Sequence, residues 1–147
     1  MSALDTLEAF CRDASLPYVR EDGSRLGFQL KGERKLTIAI LAVETATELR
    51  FESFFMRKPM EHEAAFATLL LQRNHRARGV AFAFDAIGDA YLVARLPIAA
   101  VTPEELDGLV GAFLVESDGM FDVAMRTGFA SYLEADLAWR AKQVSAE

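Results

Sequence analysis

The chain has 147 residues, a formal net charge of -6, 52% hydrophobic residues and a single cysteine. Such a composition excludes a disordered segment and a disulfide scaffold, and no apolar run approaches the roughly 18 residues of a membrane-spanning helix. The excess of carboxylates falls in the second half of the chain, which disfavours nucleic acid as a general partner because that binding is driven by basic charge. The length predicts one domain over residues 1–147, with a core over about 1–128 and a helical extension over 129–147. The first ten residues, MSALDTLEAF, lack the basic and apolar blocks of a secretory signal, so the expected location is cytoplasmic.

The first predicted element is an amphipathic helix over Ser2 to Ala14, with Leu4, Leu7, Phe10 and Cys11 inward, ended by Leu16-Pro17. Tyr18 to Arg20 and Leu26 to Leu30 read as strands around an Asp22-Gly23 turn. Leu36 to Val43 and Glu48 to Met56 then read as a hairpin across an ETAT loop. Pairing Val43 with Glu48 places Leu36, Ile38, Ile40 and Ala42 on one apolar face with Leu49, Phe51, Ser53 and Phe55. A helix is predicted from Glu61 to Arg76, with its acidic start and its basic end, LLLQRNHRARG, matching the helix dipole.

Val80 to Phe84 and Tyr91 to Leu96 read as a second hairpin through DAIGDA, with Val80, Phe82 and Phe84 opposite Arg95, Val93 and Tyr91. Thr102, Pro103 and Glu105 open a third helix with a cap, a first-turn proline and a capping box. Asp118-Gly119 is a candidate interruption and Gly128 the expected end. A last helix over about Ser131 to Lys142 offers Tyr132, Leu133, Leu137 and Trp139 for docking. The order α-β-β-β-β-α-β-β-α-α predicts an α+β fold: a mostly antiparallel sheet of about five to six strands with helices on one face.

Motifs of nucleotide-binding loops, hydrolase nucleophiles and paired cysteines are missing, and no carboxylate pair is set apart by spacing, so no catalytic residue, metal or cofactor is expected. His62 and His75 lie more than three helical turns apart and cannot share an ion within one chain. Two functional readings follow. In the first, the second sheet face is too apolar for water and is covered by a second copy or a client protein. Ala39, Leu41, Val43, Phe54 and Met56 contribute from the first hairpin, and Ala81, Ala83, Leu92 and Ala94 from the second. The interface residues are then Ala39, Leu41, Phe54, Ala81, Ala83 and Ala94. In the second reading, Arg34, Arg57, Lys58, Arg73 and His75, near the two ends of the second helix, hold a small anionic or nucleotide-like ligand.

The segments ERKLT, ESFFMRKP, LLLQRNHRARGVAFAFDAIGDAYLVARLP and VTPEELDGLVG, within about Leu16 to Phe129, resemble the actinobacterial branch of the YbjN-like family, also labelled sensory transduction regulators. That resemblance implies a fold similar to the type III secretion chaperones: a small acidic α+β domain, usually a homodimer, that binds protein rather than performing chemistry. It implies no site residues.

Overall fold

The structure, a computed structural model, describes residues 1–145. Its elements are α1 (Ala3–Asp13), β1 (Tyr18–Arg20), β2 (Arg25–Lys31), β3 (Thr37–Glu44), β4 (Glu48–Met56), α2 (Glu63–Asn74), β5 (Ala81–Phe84), β6 (Ala90–Pro97), α3 (Pro103–Gly128) and α4 (Ala130–Ser145). The strands form one antiparallel sheet in the order β1-β2-β3-β4-β6-β5. The element order, the α+β class and the antiparallel sheet agree with the expectation.

Both hairpins differ from the expected pairing, with opposite consequences. In the first, Ala42 faces Phe51 rather than Leu49, a slide of two residues. The turn sets it: Thr45 donates its N–H to the Glu48 carbonyl at 2.9 Å and accepts the Glu48 N–H on its hydroxyl at 3.1 Å, so only Ala46 and Thr47 make the bend. Because side chains alternate with period two, an even slide leaves each on its expected face. In the second hairpin Phe82 faces Leu92, a slip of one. Here Asp85 closes a three-residue loop, donating its N–H to the Asp89 carbonyl at 3.0 Å, with Gly88 at φ +95°. The odd slip turns β6 over, so Leu92 and Ala94 lie buried beneath the helices and Tyr91, Val93 and Arg95 occupy the reverse face. A register break between Phe54 and Met56 likewise carries Met56 inward, opposite Ala90.

The core lies between the sheet and the helices. Leu26, Phe28, Ile38, Ile40, Leu49, Phe51, Phe55 and Leu92 meet Leu4, Leu7 and Cys11 of α1, Phe66 and Leu70 of α2, and Leu106, Leu109 and Phe113 of α3. The α3 start follows the expected cap and first-turn proline, with the Thr102 hydroxyl accepting the Glu105 N–H at 3.2 Å, but the expected capping box is incomplete: among the described residues the Thr102 N–H does not donate to the Glu105 carboxylate. Asp118-Gly119 does not interrupt α3. Instead the Asp118 carboxylate accepts the Arg34 and Lys35 N–H groups at 2.6 and 3.0 Å, which anchors the β2–β3 loop and holds that carboxyl below the usual carboxylate range.

The α2 helix starts two residues later than expected, after His62 at φ 53°. Glu61 lies outside it and accepts the N–H and hydroxyl of Ser131 at 2.6 and 3.1 Å, capping α4. The predicted docking residues of α4 are mostly uncovered: Leu133 is half-buried, while Tyr132, Leu137 and Trp139 are exposed.

Along α3, Phe113 meets Phe51 at 6.4 Å between ring centres and Phe121 meets Phe55 at 6.5 Å. Between them in sequence lie Ser53 on β4 and Ser117 on α3, each fully buried. Both hydroxyls are buried and lack a hydrogen-bond partner among the described residues. Ser117→Ala and Ser53→Ala are therefore expected to be neutral or to stabilise by up to about 1 kcal/mol, since each removes an unmet polar group. Urea unfolding checks this; a loss of the same size in either variant contradicts it.

The β5 edge of the sheet is closed by a side chain. Asn74, the last residue of α2, accepts the Phe82 N–H on its amide oxygen at 2.7 Å and donates its amide N–H to the Phe82 carbonyl at 3.0 Å. A carboxamide thus takes the place of a neighbouring strand at the middle of β5.

Candidate interaction surface

The reverse face of the sheet carries Val19 from β1, Gly27 and Gln29 from β2, Ala39, Leu41 and Val43 from β3, and Arg50, Glu52 and Phe54 from β4. Tyr91, Val93 and Arg95 from β6 and Ala81 and Ala83 from β5 complete it. The residues buried against the sheet from α1, α2 and α3 all meet the opposite face. On the uncovered side Phe54 is 46% exposed and Val19 68% exposed, which is unusual for large apolar groups on a central layer.

Two depressions mark this face. One, of about 570 Å³, runs over Gly27 and Ala39 between Val19, Leu41, Phe54 and Tyr91, with Glu21 and Glu52 as its charged lining. Phe54 and Tyr91 form its wall, packed edge to face at 5.6 Å. The Tyr91 phenol is held above its ordinary pKa by burial and then by Asp85, Glu52 and Asp89. The second depression, of about 440 Å³, lies over Val43, Ala83 and Val93 and collects the basic groups Arg25, Arg50 and Arg95. These are met by Glu21 at 3.1 Å from Arg25, and by Glu48 at 2.7 Å from Arg50 and 3.8 Å from Arg95.

Of the six interface residues read from the sequence, Ala39, Leu41, Phe54, Ala81 and Ala83 lie on this face. Ala94 does not: it pairs with Phe51 and is buried on the helix side, a consequence of the one-residue slip. Tyr91, Val93 and Gly27 were missed. The spacing of Asp85 and Asp89 around Gly88 is compatible with the three-residue loop observed, but by itself it does not fix the parity of β6.

The basic residues of the second reading are occupied separately. Arg34 approaches Asp122 at 3.5 Å and Lys58 approaches Glu63 at 3.6 Å. The Arg57 guanidinium lies 5.0 Å from the Phe129 ring centre. Arg73 makes a two-pronged ion pair with Glu116, Nε to Oε2 at 2.6 Å and a terminal nitrogen to Oε1 at 2.7 Å. His75 follows α2 as an exposed cap and shares with Arg73, Arg76 and Met120 a depression of about 530 Å³ that none of the other three lines. Groups of three or more potential metal ligands are absent among the described residues, and no helix among them is long and apolar enough to cross a membrane.

Comparison with known proteins places this arrangement. In solved structures, a chain of the heterodimeric complex ExoU–SpcU from the type III secretion system of Pseudomonas aeruginosa superposes with a TM-score of 0.59 at 13% identity, over 79% of this chain and 95% of that one. A chain of the ExsC–ExsE complex gives 0.59 at 17%, over 82% and 91%. A chain of the HopA1–SchA chaperone–effector complex gives 0.59 at 14%, over 81% and 92%. The fold is that of the type III secretion chaperones.

In sequence, an uncharacterized protein of Mycobacterium tuberculosis is 37% identical over 112 residues, and one of Mycobacterium leprae 36% over 117. These cover 76% and 79% of this chain but 61% and 63% of theirs, so the chain spans about three fifths of the curated relatives it matches. A family profile described as "Putative bacterial sensory transduction regulator" matches residues 3–124, from the start of α1 nearly to the end of α3. On that match the chain belongs to the YbjN family.

Proposed function

We propose that this chain is a non-enzymatic protein-interaction module, chaperone-like or regulatory, which works as a homodimer through the uncovered sheet face. The observation that carries this reading is the group Ala39, Leu41, Phe54, Tyr91 and Val93, apolar and aromatic side chains from three central strands that surround Glu52 on the side away from the helix-covered core. Burying such surface is favourable by about 25 cal/mol per Å² before association costs, and a twofold contact covers it with its own copy. The fold neighbours lend support, since each was solved in a complex with another protein.

Sedimentation velocity over a range from low to high micromolar concentration tests the proposal. The wild-type chain is expected to sediment as a dimer and Leu41→Glu as a monomer with an unchanged circular dichroism spectrum, because Leu41 is half-buried on the outer face and contributes nothing to the helix side. A wild-type chain that stays monomeric throughout overturns the homodimer. A variant that dimerises like the wild type moves the contact away from this face.

A further inference from the structure

One depression on the helix side of the molecule is lined by basic groups and by no carboxylate. It has a volume of about 530 Å³ and lies between the end of α2 and the latter half of α3, where Gln72, Arg73, His75 and Arg76 share the lining with Leu69 and Met120. In a chain of net charge -6 its sign sets it apart. No residue of the uncovered sheet face lines it, so the contact proposed for a second copy leaves it open. Arg73 and His75 belong to the second reading drawn from the sequence; Arg76 did not.

The polar groups here have donors to spare. Arg73 gives Nε and Nη2 to the Glu116 carboxylate at 2.6 and 2.7 Å, which fixes the guanidinium in place, while its Nη1 makes no hydrogen bond among the described residues. The Glu116 side chain is 6% exposed and does not line the depression. That pair is neutral, so the uncancelled charge of the site is Arg76, which makes no ion pair among the described residues. The side chains of Gln72 and His75 make no hydrogen bond among them either, and each can donate to an oxygen atom. The negative end of the α2 dipole works against an anion here, but the effect is weak and confined to the last turn. The carbonyls of that turn are also engaged: Gln72 accepts the His75 N–H at 3.3 Å, and Arg73 accepts those of Arg76 and Ala77 at 2.9 Å.

Leu69 and Met120, both half-buried, add an apolar surface that an inorganic anion would leave unused. The volume falls in the range of small-molecule sites rather than of single ions. From this geometry we infer that the depression binds an organic phosphate of nucleotide size. Its phosphoryl oxygens accept from Arg73 Nη1, the Arg76 guanidinium and the side chains of Gln72 and His75, and its planar or apolar body lies against Leu69 and Met120. A guanidinium suits this role because its planar fork donates to two phosphate oxygens at once, and a thioether adapts its shape to a flat ring. The site stands or falls independently of the homodimer.

The test is isothermal titration calorimetry on the full chain at physiological ionic strength, with adenosine diphosphate, pyrophosphate and adenosine as probes. Adenosine diphosphate is expected to bind with a submillimolar Kd, pyrophosphate at least about threefold more weakly and adenosine at least about tenfold more weakly. Arg76→Gln should weaken adenosine diphosphate by at least about fivefold with an unchanged melting temperature, since Arg76 is exposed and unpaired among the described residues. Arg78→Gln removes the same charge from an exposed residue outside the depression, and should change the affinity by less than about twofold. Equal losses in the two variants would mean attraction to the basic run at large and overturn the inference, as would an Arg76→Gln chain that binds like the wild type. Adenosine binding as tightly as the diphosphate removes the role of the phosphates, and pyrophosphate binding as tightly removes that of the apolar surface; either result sinks the site as described. No heat from adenosine diphosphate at millimolar concentration does so too.

Discussion

Replacing Arg73 by Met is expected to destabilise the protein by about 2–3 kcal/mol, which for a chain of this length lowers the melting temperature by about 6–12 °C. The Glu116 side chain is 6% exposed, so its carboxylate depends on Arg73 for both of its hydrogen bonds. Removing the guanidinium strands a charge among apolar neighbours, a loss of about 3–5 kcal/mol for a fully enclosed pair. The figure is smaller here because Arg73 is itself a third exposed and water reaches one side of the pair. The carboxylate also holds the Arg73 guanidinium above its ordinary pKa. The double variant Arg73→Met, Glu116→Leu should recover most of the loss, because no charge is then left unpaired. Thermal unfolding followed by circular dichroism provides the comparison. A double variant no more stable than the single one would show that the pair positions α2 on α3 through its geometry rather than by neutralising a buried charge.

Gly128→Val is expected to cost about 3 kcal/mol, and Gly128→Ala about half as much. A Cβ at this position would lie 2.8 Å from the Pro59 ring and 2.9 Å from the Phe66 ring, closer than carbon atoms tolerate. Neither ring has freedom to retreat: Pro59 is tied into the chain leading to α2, and Phe66 is fully buried. Moving Gly128 away instead breaks the bonds its carbonyl accepts from the Met60 and Glu61 N–H groups at 2.9 and 3.2 Å. Those bonds hold the segment between β4 and α2 against the junction of α3 and α4, so the damage should appear as a lower urea midpoint. An unchanged midpoint in Gly128→Val would mean that the junction repacks freely.

Much of the architecture was legible because short-range signals carried it. Thr102 and Pro103 mark the α3 start through the chemistry of the first helical turn, which needs no tertiary context. The faces of β3 and of β4 as far as Phe55 were readable because an even slide preserves them; Met56 was not, because the register break falls just before it. The face of β6 was not, since it depended on whether the loop at Gly88 held an odd or even number of residues, and its composition suits either. Ala94 went to the wrong side for that reason alone. Long-range partners left no local trace: Arg73 and Glu116 are 43 positions apart, and Glu61 is 70 from Ser131. Asp118-Gly119 was misread because glycine commonly ends helices and aspartate is a poor helix former, whereas here the aspartate serves a loop that reaches it from β2. Arg34, Lys58 and Arg73 each pair with a carboxylate of their own and Arg57 lies over the Phe129 ring, contacts that the spacing of the basic residues does not announce.

The carboxamide of Asn74 has a bearing on how copies of this protein can stack. A sheet margin with free peptide groups is a template on which further copies polymerise, each laying a strand beside the last. With the central peptide groups of Phe82 already claimed, a newcomer at that margin must first displace a side chain anchored to the end of a helix. Adding a strand on that flank therefore costs the two bonds that the carboxamide already makes.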